Sequence, residues 1–143
     1  MKFIITTIAI AAAFVPMMEG HLKMVNDGTY PGGDGLGPVV KENFPCTRDG
    51  GEPEKDGPTL TPGDSAKISL EGTAVHGGGS CQISITYDQP PTEKSVWKVM
   101  KSFIGGCPVD NDQNLNPGST EKLPPLNYQI PRGLPSGKAT IAW

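Results

Sequence analysis

The sequence predicts a mainly β fold, an antiparallel sandwich with long loops. Three observations predict it: short apolar runs that alternate with period two, turn residues between the runs, and no amphipathic helical window of useful length. Its 143 residues are one domain's worth of chain. From His21 to about Thr59 glycine and proline are too frequent for a long helix or strand, so an irregular, surface-wrapping segment is expected. After the turn Pro62-Gly63-Asp64, Ala66, Ile68 and Leu70 alternate with Lys67, Ser69 and Glu71, the pattern of a half-buried strand. Thr73 to Ser80 is a Gly-rich loop that contains His76.

Ile83, Ile85 and Tyr87 alternate with Gln82, Ser84 and Thr86 in a second strand, closed by Asp88 to Pro91. Val96 to Ile104 is a third, ended by a Gly105-Gly106 break. Polar and turn-forming residues make Asp110 to Pro125 a loop. Tyr128 with Ile130, then Ala139, Ile141 and Trp143, read as two further strands around a turn region from Pro131 to Gly137. Such spacing points to a sandwich of the immunoglobulin/fibronectin III kind. Trp97, Phe103 and Trp143 occupy strand-like positions and are expected to pack in the core.

The two ends carry further expectations. Lys2 precedes a largely apolar, uncharged stretch from Phe3 to Pro16, the layout of a secretory signal peptide. It is too short to span a membrane, so the mature chain is expected outside the cell and off the membrane. Gly20 suits a cut before His21, giving a signal peptide at 1–20 and a domain at 21–143; a cut after Ala13 is the alternative and would leave His21 internal. The other end stops at Trp143 inside an alternating pattern, so one or more C-terminal strands are expected to be missing. The cysteine count agrees with this, because Cys46, Cys81 and Cys107 are an odd number for an oxidising compartment. A free thiol or a bond to another chain would also account for it.

Net charge is −3, with no basic stripe, which argues against nucleic acid as a partner. A neutral polymer needs no strongly charged binding face. No carboxylate pair of glycosidase type, serine-nucleophile motif or phosphate-cradling loop can be singled out, and the glycines from Gly32 to Gly37 follow no strand. Only two histidines are present. A terminal His21 would offer an α-amino and an imidazole nitrogen, and His76 a second imidazole; three nitrogens suit copper. Spacing alone, however, favours two ordinary surface histidines.

Several stretches in order shift that balance. Thr73-Ala74-Val75-His76-Gly77-Gly78-Gly79-Ser80-Cys81-Gln82-Ile83-Ser84-Ile85-Thr86-Tyr87-Asp88, the start His21-Leu22-Lys23-Met24, Asn43-Phe44-Pro45-Cys46, Val99 to Pro108 and the closing Ala139-Thr140-Ile141-Ala142-Trp143 together resemble the chitin-active fungal lytic polysaccharide monooxygenases of auxiliary activity family eleven. The resemblance implies a secreted copper oxidoreductase with a histidine brace, His21 through amine and side chain and His76 through its side chain. It implies action at the glycosidic bonds of a crystalline polysaccharide, with chitin as substrate, O₂ or H₂O₂ as cosubstrate and an external electron donor. A monomer with its copper on a flat, solvent-facing surface is expected.

The family's axial tyrosine would follow Trp143 and has no counterpart; Tyr30, Tyr87 and Tyr128 occur in different motifs and are not assigned to it. Glycines 77, 78 and 79 are expected to let the loop backbone take positive φ and approach the metal closely. In this reading Cys81 and Cys107 open and close adjacent strands and are expected to pair, leaving Cys46 without its partner; Cys46 with Cys81 stays open as the alternative. Two rival functions remain: a histidine-brace copper binder without oxygenase activity, and a non-catalytic chitin-binding or host-interaction protein.

Overall fold

A computed structural model describes residues 22–26, 28, 44–45, 56–110, 113–115 and 123–143. The expected signal peptide, His21 and Cys46 lie outside the described residues. Seven strands make up the described secondary structure: β1 (Lys23–Met24), β2 (Ser65–Ile68), β3 (Leu70–Glu71), β4 (Gly79–Thr86), β5 (Lys98–Cys107), β6 (Leu126–Gln129) and β7 (Thr140–Ala142). All pairings are antiparallel, in sheets ordered β1-β3, β2-β6 and β5-β4-β7. No helix occurs among the described residues. The mainly β sandwich anticipated from the alternating runs is the fold.

Period-two patterning builds the core. Ile68 and Leu70 from the first predicted run, Ile83 from the second, and Leu126, Tyr128 and Ile130 are all buried, and they share one cluster with Val75, Cys107 and Leu123. Their alternates Lys67, Glu71, Gln82, Asn127 and Gln129 are exposed. Each fully buried aliphatic side chain contributes about 1.5–3 kcal/mol relative to exposure, so register is strongly specified on this face. Met24, Met100, Phe103 and Ile141 close the cluster's margins.

The structure corrects the sequence reading at five places. The run 66–71 is not one strand, because its partner changes at Ser69: β2 pairs with β6 and β3 pairs with β1. Asn26 spans that break, its carboxamide accepting from the Ser69 N–H at 2.8 Å and donating to the Lys67 carbonyl at 2.9 Å. The Val25 N–H donates to the Ser69 carbonyl at 3.0 Å. The segment after residue 21 is therefore not wholly irregular, since β1 adds a short strand there. Third, Gly105-Gly106 does not end β5. The register moves from Cys81↔Phe103 to Gly79↔Cys107, so the two glycines (φ 75° and 65°) form a bulge inside the strand. Ser80 Oγ accepts the Gly105 N–H at 3.1 Å. A second irregularity, between Ile83↔Lys101 and Ser84↔Val99, leaves Met100 without a partner.

Fourth, Gly79 does not take positive φ with Gly77 and Gly78 (80° and 77°), because it opens β4 opposite Cys107. Fifth, Trp143 is not core. It is 38% exposed, since β7 ends at Ala142, whose pairing with Ser84 is the last on that edge. Phe103 does pack against the core, and Trp97 is half-buried with its indole Nε1 buried and unpartnered.

Candidate metal centre

His76 sits three residues before β4 begins, at the tip of the turn 73–78. Ala74 and Val75 are buried while His76 is exposed, so the chain dives into the core and emerges at the histidine. Among the described residues His76 is the one non-glycine with positive φ, 52°. That conformation costs an L-residue about 1–2 kcal/mol, which something must offset. Several contacts do so. Gly78 N–H donates to the Val75 carbonyl at 2.8 Å, closing the turn. The His76 N–H donates to Asn114 Oδ1 at 2.8 Å, and the Leu115 N–H donates to the Thr73 carbonyl at 2.8 Å. A hydrogen bond of this sort contributes about 0.5–1.5 kcal/mol, so two of them match the backbone cost.

Packing holds the far side of the turn. A Cβ on Gly78 would stand 2.6 Å from the Val109 carbonyl oxygen, closer than real contacts allow. The Cys81–Cys107 disulfide joins β4 to β5 just beyond, with Cα atoms 5.7 Å apart. Both strands that leave the site are therefore tied covalently as well as by their ladder.

The donor set can be examined at His76 itself. Neither imidazole nitrogen hydrogen-bonds to a described residue, and the ring is exposed, so both nitrogens are open to a ligand. Imidazole nitrogen suits copper, and a single such donor fits one position of a tetragonal site. No group of three His, Cys, Asp or Glu side chains that could hold a metal occurs among the described residues. Any further nitrogen donors would have to come from elsewhere in the chain, and the expected one, His21, lies outside the described residues.

A separate cleft is bordered by Ser65, Met100, Lys101, Asn127, Gln129 and Arg132. It contains no histidine, cysteine or carboxylate side chain, and His76 does not line it. His76 is exposed and lies outside that concavity. Sequence reasoning identified His76 and missed Asn114, which stood in a polar stretch read only as a loop. No local signal distinguishes it from the neighbouring asparagines of that stretch.

No family model matches the chain. Curated relatives do. A protein of Aspergillus oryzae named AA11 family lytic polysaccharide monooxygenase is 42% identical over 88% of this chain and 31% of its own length. AA11 family lytic polysaccharide monooxygenase B of Aspergillus fumigatus is 36% identical over 95% of the chain and 34% of its own length. AA11 family lytic polysaccharide monooxygenase A of the same species is 33% identical over 71% and 39% respectively. The chain thus spans about a third of the length of the curated relatives it matches, and the likeness read from its motifs extends over most of its own length.

Proposed function

We propose that this chain carries the copper-binding part of a secreted monooxygenase that cleaves glycosidic bonds in a crystalline polysaccharide, with chitin as the substrate. The observation that carries the reading is His76: an exposed imidazole with neither nitrogen hydrogen-bonded to a described residue, on a turn whose backbone is held from three directions. Likeness to proteins named as lytic polysaccharide monooxygenases supports the reaction class.

The direction of β1 supports His21 as the remaining donor. Lys23 pairs with Glu71 antiparallel, so the chain at Leu22 heads back toward Gly72 and Thr73, where the His76 turn begins. Removal of residues 1–20 would leave a terminal amine and an imidazole at position 21, three nitrogens in all with His76. Copper held there would supply the one-electron chemistry toward O₂ or H₂O₂ that C–H oxidation beside a glycosidic bond requires, with electrons from an external donor. The chain's own part is to present His76 at fixed height on an open surface, where a crystalline polymer chain can approach and no deep pocket is needed.

Intact-mass measurement of the secreted protein, with and without copper, tests the reading together with product analysis on chitin. Expected are a mass that starts at His21, one tightly held copper, and oxidised chitin oligosaccharides. A form extended by one N-terminal Gly should bind copper far more weakly. A mass that starts after Ala13, or equal affinity in the extended form, overturns the brace. Copper binding without oxidised products would instead favour a copper-binding protein lacking oxygenase activity.

A further inference from the structure

We propose that Asn114 is the positioning residue for His76: its side-chain oxygen holds the His76 backbone in the left-handed conformation and so sets the direction in which the imidazole leaves the surface. The purpose rests on the copper reading above, but the geometry does not. Asn114 Oδ1 accepts the His76 N–H at 2.8 Å across 38 residues of sequence, and the next residue, Leu115, donates its N–H to the Thr73 carbonyl. Residues 114 and 115 therefore grip the turn on both sides of the buried pair Ala74-Val75. Leu115 is anchored in turn against the core cluster.

The choice of asparagine has a chemical reason. The His76 N–H needs an acceptor on a short side chain, which Asn and Asp both provide. Asn does so without placing a formal charge beside a cation site, and so leaves the site's charge to its own ligands. Loss of an outer partner that orients a metal ligand typically lowers metal affinity about 10–100-fold.

The experiment compares wild type, Asn114→Ala and Asn114→Asp, each as the full secreted chain. In the metal-free proteins, NMR reads the residue-76 HN–Hα coupling, which reports φ, and the exchange rate of that amide. With copper alone as the probe, titration gives affinity and EPR gives the Cu(II) hyperfine pattern. Asn114→Ala should speed exchange of the His76 amide about tenfold or more and shift its coupling away from the left-handed value. Copper affinity should fall by about tenfold or more, with an altered EPR signal. Asn114→Asp keeps the acceptor and should restore the apo coupling and amide protection.

An unchanged coupling and exchange rate in Asn114→Ala overturns the proposal whatever copper does. Perturbed apo values with unaltered copper affinity and EPR overturn it too, because the backbone contact would then not reach the ligand. If the wild-type chain binds no copper, the function proposed above fails, and the apo measurements alone still decide whether Asn114 holds His76.

Discussion

The turn that carries His76 and the outer edge of β5 are both exposed, yet they are held in opposite ways. The turn is irregular and bound from several sides: Asn114 and Leu115 from a distant loop, Val109 against Gly78, and the disulfide beyond. β5 is a ten-residue strand, twice interrupted in register, whose one partner among the described strands is β4. Its outward side chains Val99 and Ile104 are 55% and 86% exposed. Strand pairing is thus one way of holding an exposed segment here, and isolated long-range contacts are the other. Contacts from elements far away in sequence gather instead around His76.

The largest way to break this contrast is to remove the covalent tie. Replacing Cys81 and Cys107 together by Ser opens a link of sequence separation 26 and should lower stability by about 3 kcal/mol, read from denaturant unfolding. A loss under 1 kcal/mol would mean that the ladder alone holds β4 to β5.

Two glycines with nearly equal φ sharpen the comparison next. Gly78→Ala places a methyl 2.6 Å from the Val109 carbonyl and strains a φ of 77°, so about 2–3 kcal/mol should be lost. Gly105→Ala strains a similar φ of 75° but meets nothing within 4 Å, so the backbone term alone remains, about 1 kcal/mol. Equal costs for the two would show that the packing against Val109 is slack.

Asn26 is the tie at the third level. Asn26→Ala removes both contacts across the Ser69 break and should cost about 1–2 kcal/mol, with faster amide exchange at Ser69. Protection unchanged at Ser69 would refute its bridging role.

In the core cluster, burial pushes the Tyr128 phenol above its ordinary 10.0. Its folded form favours the neutral state, so the contribution is complete below pH 10.0 and is lost as pH rises through the higher folded value. Wild type should therefore lose stability in alkali faster than Tyr128→Phe; parallel pH profiles would count against it. The smallest effect belongs to β5. Ile104→Thr should change stability by under about 0.5 kcal/mol, while light scattering should detect less self-association. A loss above 1 kcal/mol would mean that something covers Ile104.

Much of the fold could be read directly from the residues. Alternation placed Ile68 and Leu70, Ile83, and Tyr128 with Ile130 on the buried face, since a period of two obliges alternate side chains to share a side. The turn at Gly77 and Gly78 was legible for a similar reason, because only local sterics decide where positive φ is tolerated. Less could be read of the site. His76 stood out as one of two histidines, but the acceptor that holds its backbone N–H comes from Asn114, 38 residues away.

By itself, then, the sequence determined a β domain, which face of each long strand is apolar, and the Gly-rich loop that carries His76. The expected pairing of Cys81 with Cys107 is present, whereas the tertiary structure alone decided that β2 and β3 separate at Ser69, that β5 bulges at Met100 and at Gly105-Gly106, and that Asn114 grips His76. The division has a physical cause. Side-chain alternation and φ preference are properties of a few consecutive residues, whereas strand partners, disulfide geometry and a side-chain acceptor for a backbone N–H arise only when distant segments meet. A polar residue such as Asn26 or Asn114 has the same local character whether it faces water or holds another segment in place.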